Sequence, residues 1–290
     1  MLPLKWFSLF IKKESQTFVT KRLILMKLHT YILAGCLFFL ANTGIAQTTN
    51  LPNSIDASIN DLQTFLTNKE YVSSYQLAKE LKHSPVYINS ATIKERIDFY
   101  FLVSGLQLHE KGIVEQASEF IKAALDPALR QMMSFYVGTY YFRNKQLNES
   151  LTYLEATKLA NLSNAQIGEV KYLLGYLYFS LGQFEKAKQP LDAVRQTVGD
   201  LYYVDANYYY GFIAFKEKNY TLALSCFEIA KAAAAYSKLI PFYNAQIYYF
   251  TGNAEKALST ALDALKSGNQ YYEKPLQQLV GRLLFAKNDF

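Results

Sequence analysis

Histidine, cysteine and carboxylate side chains build most catalytic and metal sites, and this sequence distributes them singly. The three histidines, His29, His83 and His109, have no second histidine or cysteine at ligand spacing, so a zinc site is not predicted. Cys36 lies in an apolar N-terminal segment and Cys226 stands alone in the rest of the chain. An intramolecular disulfide framework is therefore excluded. We expect Cys226 to be a small buried residue on a helix.

Motifs for catalysis are also missing from the sequence. It holds no Gly-rich phosphate loop, no Ser nucleophile elbow and no Cys/His pair, which are the arrangements that hold a phosphate or activate a nucleophile. The glutamates Glu115, Glu119 and Glu169 fit solvated helix faces. We therefore predict no catalytic residue, no cofactor and no metal ion, and a protein that is not an enzyme.

Glycine, alanine and aromatic residues, by contrast, recur at a fixed spacing. The segment LLGYLYFSLGQFEKAKQPLDAV aligns with YYGFIAFKEKNYTLALSCFEIA at a shift of 36 residues. In each, a glycine (Gly175 or Gly211) is followed by an aromatic residue nine positions later, an alanine twelve later and a large apolar residue sixteen later. We term this glycine, and its counterpart in every other unit, the landmark residue. Such a period predicts a helical solenoid, in which each unit buries its apolar face on its neighbours.

The landmark spacing extends over most of the chain. The landmark residues are Gly105, Gly138, Gly175, Gly211, Ala245 and Gly281, at intervals of 33, 37, 36, 34 and 36 residues. A weaker unit precedes them at about residues 55–82. There, Leu62 replaces the glycine, Tyr71 is a candidate turn aromatic, and the gap to Gly105 is 43 residues.

Each unit is predicted to be two helices joined by a short turn. Apolar residues at steps of three and four place a first helix between positions 170 and 181 and a second between 184 and 194. The small landmark residue lets the first helix approach the second closely. We expect the alanine twelve positions later, Ala187 or Ala223, to be its partner across the gap.

These residues resemble the signature of the tetratricopeptide repeat family. The matching residues are Leu174, Gly175, Tyr178, Gly182, Phe184 and Ala187 in one unit, and Tyr220, Ala223, Phe227 and Ala230 in the next. The sequence departs from the family pattern at Ala214, where tyrosine is usual, at Ser150, where alanine is usual, and in lacking the proline that often closes a unit. The resemblance implies an all-α fold, a right-handed α-solenoid of stacked helix-turn-helix repeats.

The resemblance also implies that the first helices line a concave groove. Aromatic side chains there suit a partner peptide or helix that inserts apolar anchors. The residues predicted to bind the partner are Phe142, Tyr172, Tyr176, Phe179, Tyr208, Phe212, Phe215 and Tyr249, with Phe135, Phe242 and Phe285 at related positions. Packing between repeats is the alternative role for each ring. Tyr176 and Phe212 are the most informative, because the family usually has a polar residue at that position.

The N-terminal segment has the three parts of an export signal. A basic start after Met26, an apolar core from Tyr31 to Leu40 and a small-x-small end at Ala46 predict a signal peptide at residues 26–46. Residues 1–25 are a doubtful extension, with Met26 as the simpler start. The apolar core is short for a membrane span of about 20 residues. An uncleaved leader, or acylation of Cys36 in a lipobox-like sequence, is the alternative, and no other membrane association is predicted.

The basic character of the chain belongs to this leader. Six of the 30 Lys and Arg residues precede residue 47, against one acidic residue, which leaves 24 basic and 23 acidic residues in positions 47–290. Without a basic stripe, nucleic acid is not predicted as a partner.

The predicted organisation is a linker at 47–54, a weak first helical repeat at 55–96 and a repeat array at 97–290. Because Phe290 lies where a second helix would begin, we expect the array to be cut within its last repeat. The predicted function is a non-enzymatic protein–protein interaction scaffold, exported to the periplasm or outer membrane of a Gram-negative bacterium. One alternative is the extracytoplasmic sensor or docking portion of a longer membrane-spanning signalling protein. Another is an enzyme whose catalytic part lies in a longer chain.

Overall fold

The computed structural model describes residues 54–268 and 271–287, and every regular element in those ranges is a helix. The described residues form two compact units, 54–170 and 171–287. The predicted export signal with Cys36, all of the predicted linker except Ser54, and Phe290 lie outside the described residues.

The first unit contains three helix pairs and a short additional helix. In chain order its helices are α1 Ile55–Thr67, α2 Tyr71–Leu81, α3 Pro85–Asn89, α4 Ala91–Leu108, α5 Ile113–Ala123, α6 Pro127–Arg143 and α7 Leu147–Glu155, followed by a 3-10 turn at Leu159–Asn161. The pairs are α1/α2, α4/α5 and α6/α7, and α3 lies between the first two pairs. The helix α8, Asn164–Ser180, begins in the first unit and ends in the second.

The second unit continues the same pattern. Its helices are α9 Phe184–Arg195, α10 Tyr203–Lys216, α11 Tyr220–Ala230, α12 Ala234–Ser237, α13 Ile240–Phe250, α14 Ala254–Lys266 and α15 Glu273–Lys287. The pairs are α8/α9, α10/α11 and α13/α14, and α15 carries the landmark residue Gly281. The predicted limits of the central helix pair agree with α8 and α9, except that α8 begins six residues earlier.

In the six described helix pairs, a left-handed residue seven positions after the landmark residue lies in the turn between the two helices. In the turn after α8, the N–H of Gly182 donates to the carbonyl of Phe179, and the N–H of Gln183 donates to that of Tyr178, at 3.0 and 2.8 Å. These two hydrogen bonds satisfy carbonyl groups in the last turn of the helix. The residues at this position are Lys69, Gly112, Lys145, Gly182, Lys218 and Gly252, with φ between 62° and 80°. The helix α4 ends three residues after its landmark residue, two residues earlier than the other first helices, because His109 is itself left-handed.

Gly175 shows why the landmark residue is small. A Cβ atom placed on it would lie 2.5 Å from Cγ of Leu191 and 3.3 Å from the Leu191 backbone nitrogen. The three nearest atoms therefore belong to the residue sixteen positions later, and not to Ala187 as expected, although Ala187 is fully buried. The residue twelve positions on lies against the landmark backbone in the α6/α7 pair, where the Ser150 hydroxyl donates to the Gly138 carbonyl at 2.9 Å.

The first helix pair reverses the sizes of the two packing residues. Leu62 replaces the landmark glycine, and Ala78, sixteen positions later, replaces the large residue, and both are fully buried. The large residue is on the first helix and the small residue on the second, so one small residue still lies between the two helices of the pair.

The longer interval between Leu62 and Gly105 accommodates α3, whose Tyr87 hydroxyl donates to Asp98 of α4 at 2.8 Å. The predicted start of the array at residue 97 falls inside α4.

Candidate partner-binding surface

Most aromatic residues predicted to line a groove are interior residues in the structure. Tyr172, Tyr176, Phe179, Tyr208 and Phe212 are each at most 6% exposed. This corrects their predicted location, because buried rings pack helices together and are not open to a partner.

The remaining members of the set differ in exposure. Phe142 and Phe215 are half-buried, and Tyr249 is 40% exposed. Of the three related residues, Phe135 and Phe242 are buried, whereas Phe285 is 68% exposed. Partner binding by the accessible residues stays a prediction.

The second unit buries part of this set through a recurring ring stack that the sequence reasoning missed. An aromatic residue three positions before a landmark residue stacks on a tyrosine nine positions before the next one. The pairs are Tyr172 with Tyr202, Tyr208 with Tyr236, and Phe242 with Tyr272, with ring centroids 4.4, 4.0 and 4.1 Å apart and interplanar angles of 9°, 12° and 5°. The detectable signal was the recurrence of tyrosine at the same distance before three successive landmark residues.

Two of these stacked tyrosines also make buried hydrogen bonds. The Tyr236 hydroxyl donates to Oδ1 of Asp205 at 2.6 Å, and the hydroxyls of Tyr243 and Tyr272 are 2.9 Å apart. Burial raises the pKa of Tyr236 well above its usual value, so this hydroxyl remains a donor to the carboxylate. Hydrogen bonds as well as the burial of apolar surface therefore hold these two stacked tyrosines in place.

Some aromatic side chains of the second unit reach the surface at its turn edge. By turn edge we mean the turns that join the two helices of each pair, together with the adjoining helix ends. Phe215 contacts Tyr220, Tyr220 stacks on Phe250, and Phe250 contacts Tyr249, with centroids 6.3, 6.0 and 5.8 Å apart. Phe250 is 55% exposed. We name Phe215, Tyr220, Tyr249 and Phe250 the turn-edge strip. Phe285 has the same position in α15 as Tyr249 has in α13.

Basic side chains flank the turn-edge strip. Lys188 binds both Glu185 and Glu217, so two carboxylates share one ammonium group. The ammonium of Lys216 lies 4.2 Å from the centroid of the Phe184 ring, and burial lowers the pKa of Lys216. A cation over an aromatic face is attracted by the ring quadrupole, so this lysine is held beside the apolar surface.

The first unit contains a cleft of about 460 Å³ between α4 and α5. Three of its charged groups have partners within the chain: Lys82 pairs with Asp98 at 2.7 Å, and the Glu95 carboxylate accepts from the backbone N–H groups of Leu125 and Asp126. Carboxylates engaged in this way hold the α5–α6 connection in place. The cleft brings together no nucleophile and base.

The chemical groups noted at the start do not converge in the described part of the chain. Across residues 54–268 and 271–287 no cluster of His, Cys, Asp and Glu is suited to a metal ion. The burial expected for Cys226 is confirmed, since it is 1% exposed, and burial raises the pKa of its thiol. Within the same ranges, no helix has the length and apolar character needed to cross a bilayer.

Comparison with known proteins supports the fold of the chain but assigns it to no family and gives it no function. No family model matches the sequence, and no curated protein matches it. PilF of Pseudomonas aeruginosa superposes with a TM-score of 0.51 at 12% identity, over 77% of this chain and 96% of that one. Apo RapI gives a TM-score of 0.50 at 14% identity, over 81% and 72%. YrrB, described as a TPR protein with an unusual peptide-binding site, gives 0.48 at 19%, over 66% and 91%.

The predicted fold class is confirmed. The described chain is all-α, and its helix pairs match structures built from helical repeats of the tetratricopeptide type.

Proposed function

We propose that this chain is a non-enzymatic scaffold that holds another protein at the turn-edge strip. The observation that carries the proposal is the contrast within one unit between buried and exposed aromatic rings. Tyr172, Tyr208 and Phe242 are covered by tyrosines of the chain itself, whereas Tyr249 and Phe250 remain at the surface. Exposed aromatic groups beside a rigid packed layer are suited to anchoring the apolar side chains of a partner.

Site-specific photocrosslinking tests this proposal. A photoreactive benzoylphenylalanine replaces Phe250 in cells that produce the full chain, and a matched variant carries it at Tyr271, which is 52% exposed just before α15. We expect a discrete adduct from position 250 that Tyr249→Ala reduces, and none from position 271. Equal adducts from both positions, or none from either, would refute a binding role for the strip.

The proposed location is the periplasm or the outer membrane. Its support is the basic start, apolar core and small-x-small end of residues 26–46. Peptide mapping of the native N-terminus in fractionated cells distinguishes the alternatives: a first residue at Gln47 supports cleavage, and a lipid on Cys36 supports membrane anchoring. An unmodified protein that begins at Met1 or Met26 in the cytoplasmic fraction would contradict export.

A further inference from the structure

The turn edge of the second unit carries more positive than negative charge. Its three glutamates are Glu185, Glu217 and Glu255, and its five lysines are Lys186, Lys188, Lys216, Lys218 and Lys256. Five lysines against three glutamates give this edge a formal charge of +2, and a single lysine, Lys188, holds both Glu185 and Glu217. This imbalance contrasts with residues 47–290 as a whole, where basic and acidic residues nearly cancel.

Several of these lysines are held near aromatic rings rather than near carboxylates. The ammonium of Lys256 lies 4.5 Å from the ring centroid of Tyr248, and that of Lys186 lies 5.5 Å from that of Tyr178. Both lysines are eleven positions after a landmark residue and both tyrosines three after it. No described residue forms an ion pair with Lys186, Lys218 or Lys256. A ring face accepts no conventional hydrogen bond, so these ammonium donors stay open to a bound carboxylate.

From this arrangement we infer that the partner presents an acidic segment with apolar anchor side chains to the turn edge. The inference rests on the proposed function and adds the charge of the ligand to it. Apolar anchors would pack on Tyr249 and Phe250 while carboxylates meet Lys218 and Lys256. Complementary charge raises the association rate and excludes partners of the wrong sign. A basic segment would instead place its cations beside lysines that no carboxylate neutralises.

Selection from a random twelve-residue peptide display library tests the ligand chemistry directly, with the full 290-residue chain as bait. The edge variant carries Lys186→Glu, Lys218→Glu and Lys256→Glu. The matched control carries Lys238→Glu, Lys266→Glu and Lys274→Glu, which make the same change in net charge at exposed lysines beside the opposite helix ends. A third bait carries Tyr249→Ala with Phe250→Ala.

We expect the unaltered chain and the matched control to enrich peptides that combine acidic with aromatic or large aliphatic residues. The edge variant should bind the selected peptides about tenfold more weakly, since each exposed ion pair contributes modestly. Enrichment without an acidic bias, or an acidic bias that survives in the edge variant, would overturn the charge inference and leave the proposed function standing. Failure of every bait to enrich any peptide, or enrichment unaffected by the Tyr249/Phe250 double variant, would count against the proposed function itself.

A membrane surface is the competing acidic ligand, and cosedimentation with vesicles separates it from a peptide. Phosphatidylglycerol and phosphatidylcholine vesicles are the probes, and every protein carries the same residues 1–53. We expect the unaltered chain, the edge variant and the matched control to sediment alike. Preferential loss of phosphatidylglycerol binding in the edge variant would show that the lysines recognise lipid, and would overturn the peptide inference.

Discussion

Replacing Gly175 by alanine tests whether the landmark residue sets the distance between the helices of a pair. The new Cβ would lie 2.5 Å from Cγ of Leu191, a branch point that has little freedom to move, and 3.3 Å from the Leu191 backbone nitrogen. Overpacking of this kind costs about 1–3 kcal/mol, while alanine regains about 1 kcal/mol of helix propensity. We expect a net destabilisation of up to about 2 kcal/mol, because relief requires α9 to shift as a body.

The assay is urea unfolding followed by far-ultraviolet circular dichroism, with Gly281→Ala as the matched control. A Cβ on Gly281 would meet no atom within 4 Å, so only the propensity gain remains and the unfolding midpoint should rise. In a Leu191→Ala background the obstacle is removed, and Gly175→Ala should then stabilise the protein. An increase in stability from Gly175→Ala in the unaltered chain, equal to that from Gly281→Ala, would refute the packing argument.

Three further predictions concern tyrosines. Burial raises the pKa of Tyr136 to about 12, above its unfolded value of about 10. Its contribution to stability is therefore complete below about pH 10 and lost as pH rises through about 12. We expect Tyr136→Phe to remove a slope of up to about 1.4 kcal/mol per pH unit from alkaline unfolding data, and an unchanged slope would contradict this. Tyr236→Phe leaves the Asp205 carboxylate without a 2.6 Å donor, which should cost about 1.5–3 kcal/mol in urea unfolding at neutral pH; a neutral effect would show that the bond is dispensable. Tyr176→Ala should cost about 3–5 kcal/mol because the ring is buried, whereas Tyr249→Ala should stay within about 1 kcal/mol, and equal losses would refute the assigned burial.

The repeat period was predictable from the sequence because it depends on local chemistry. A glycine permits close helix packing, and a residue tolerant of positive φ permits the turn seven positions later. A small residue recurs at six of the seven landmark positions and is visible as a spacing, whereas the turn residue is glycine in three pairs and lysine in three, so it gives a weaker signal. Even the divergent first pair was detectable, since Tyr71 begins α2 as the turn aromatic should. The exchange of sizes between Leu62 and Ala78 was not evident, because Leu62 alone indicates only a lost glycine, and the compensating small residue lies sixteen positions later on the other helix.

The location of the aromatic rings was less predictable, because burial depends on residues from the following repeat. Tyr172 is on the first helix of one pair, and the ring that covers it, Tyr202, lies thirty residues later at the start of another. A pattern read along one helix gives the direction of a side chain but not what covers it. The family resemblance assigned these positions to a groove, and the extra row of tyrosines fills the space beside them.

Under the proposed function, these buried tyrosines also bear on where a partner would bind. When the chain's own tyrosines occupy the positions beside the first helices, a partner has to use side chains that no later repeat covers. Rings at the turn edge meet that condition, since Phe250 remains 55% exposed although it stacks on Tyr220. Under the proposed function, the residues that stabilise the second unit and those that bind a partner are largely separate. Variants at Phe250 should therefore change binding without changing the unfolding midpoint, whereas variants at Tyr236 should do the reverse.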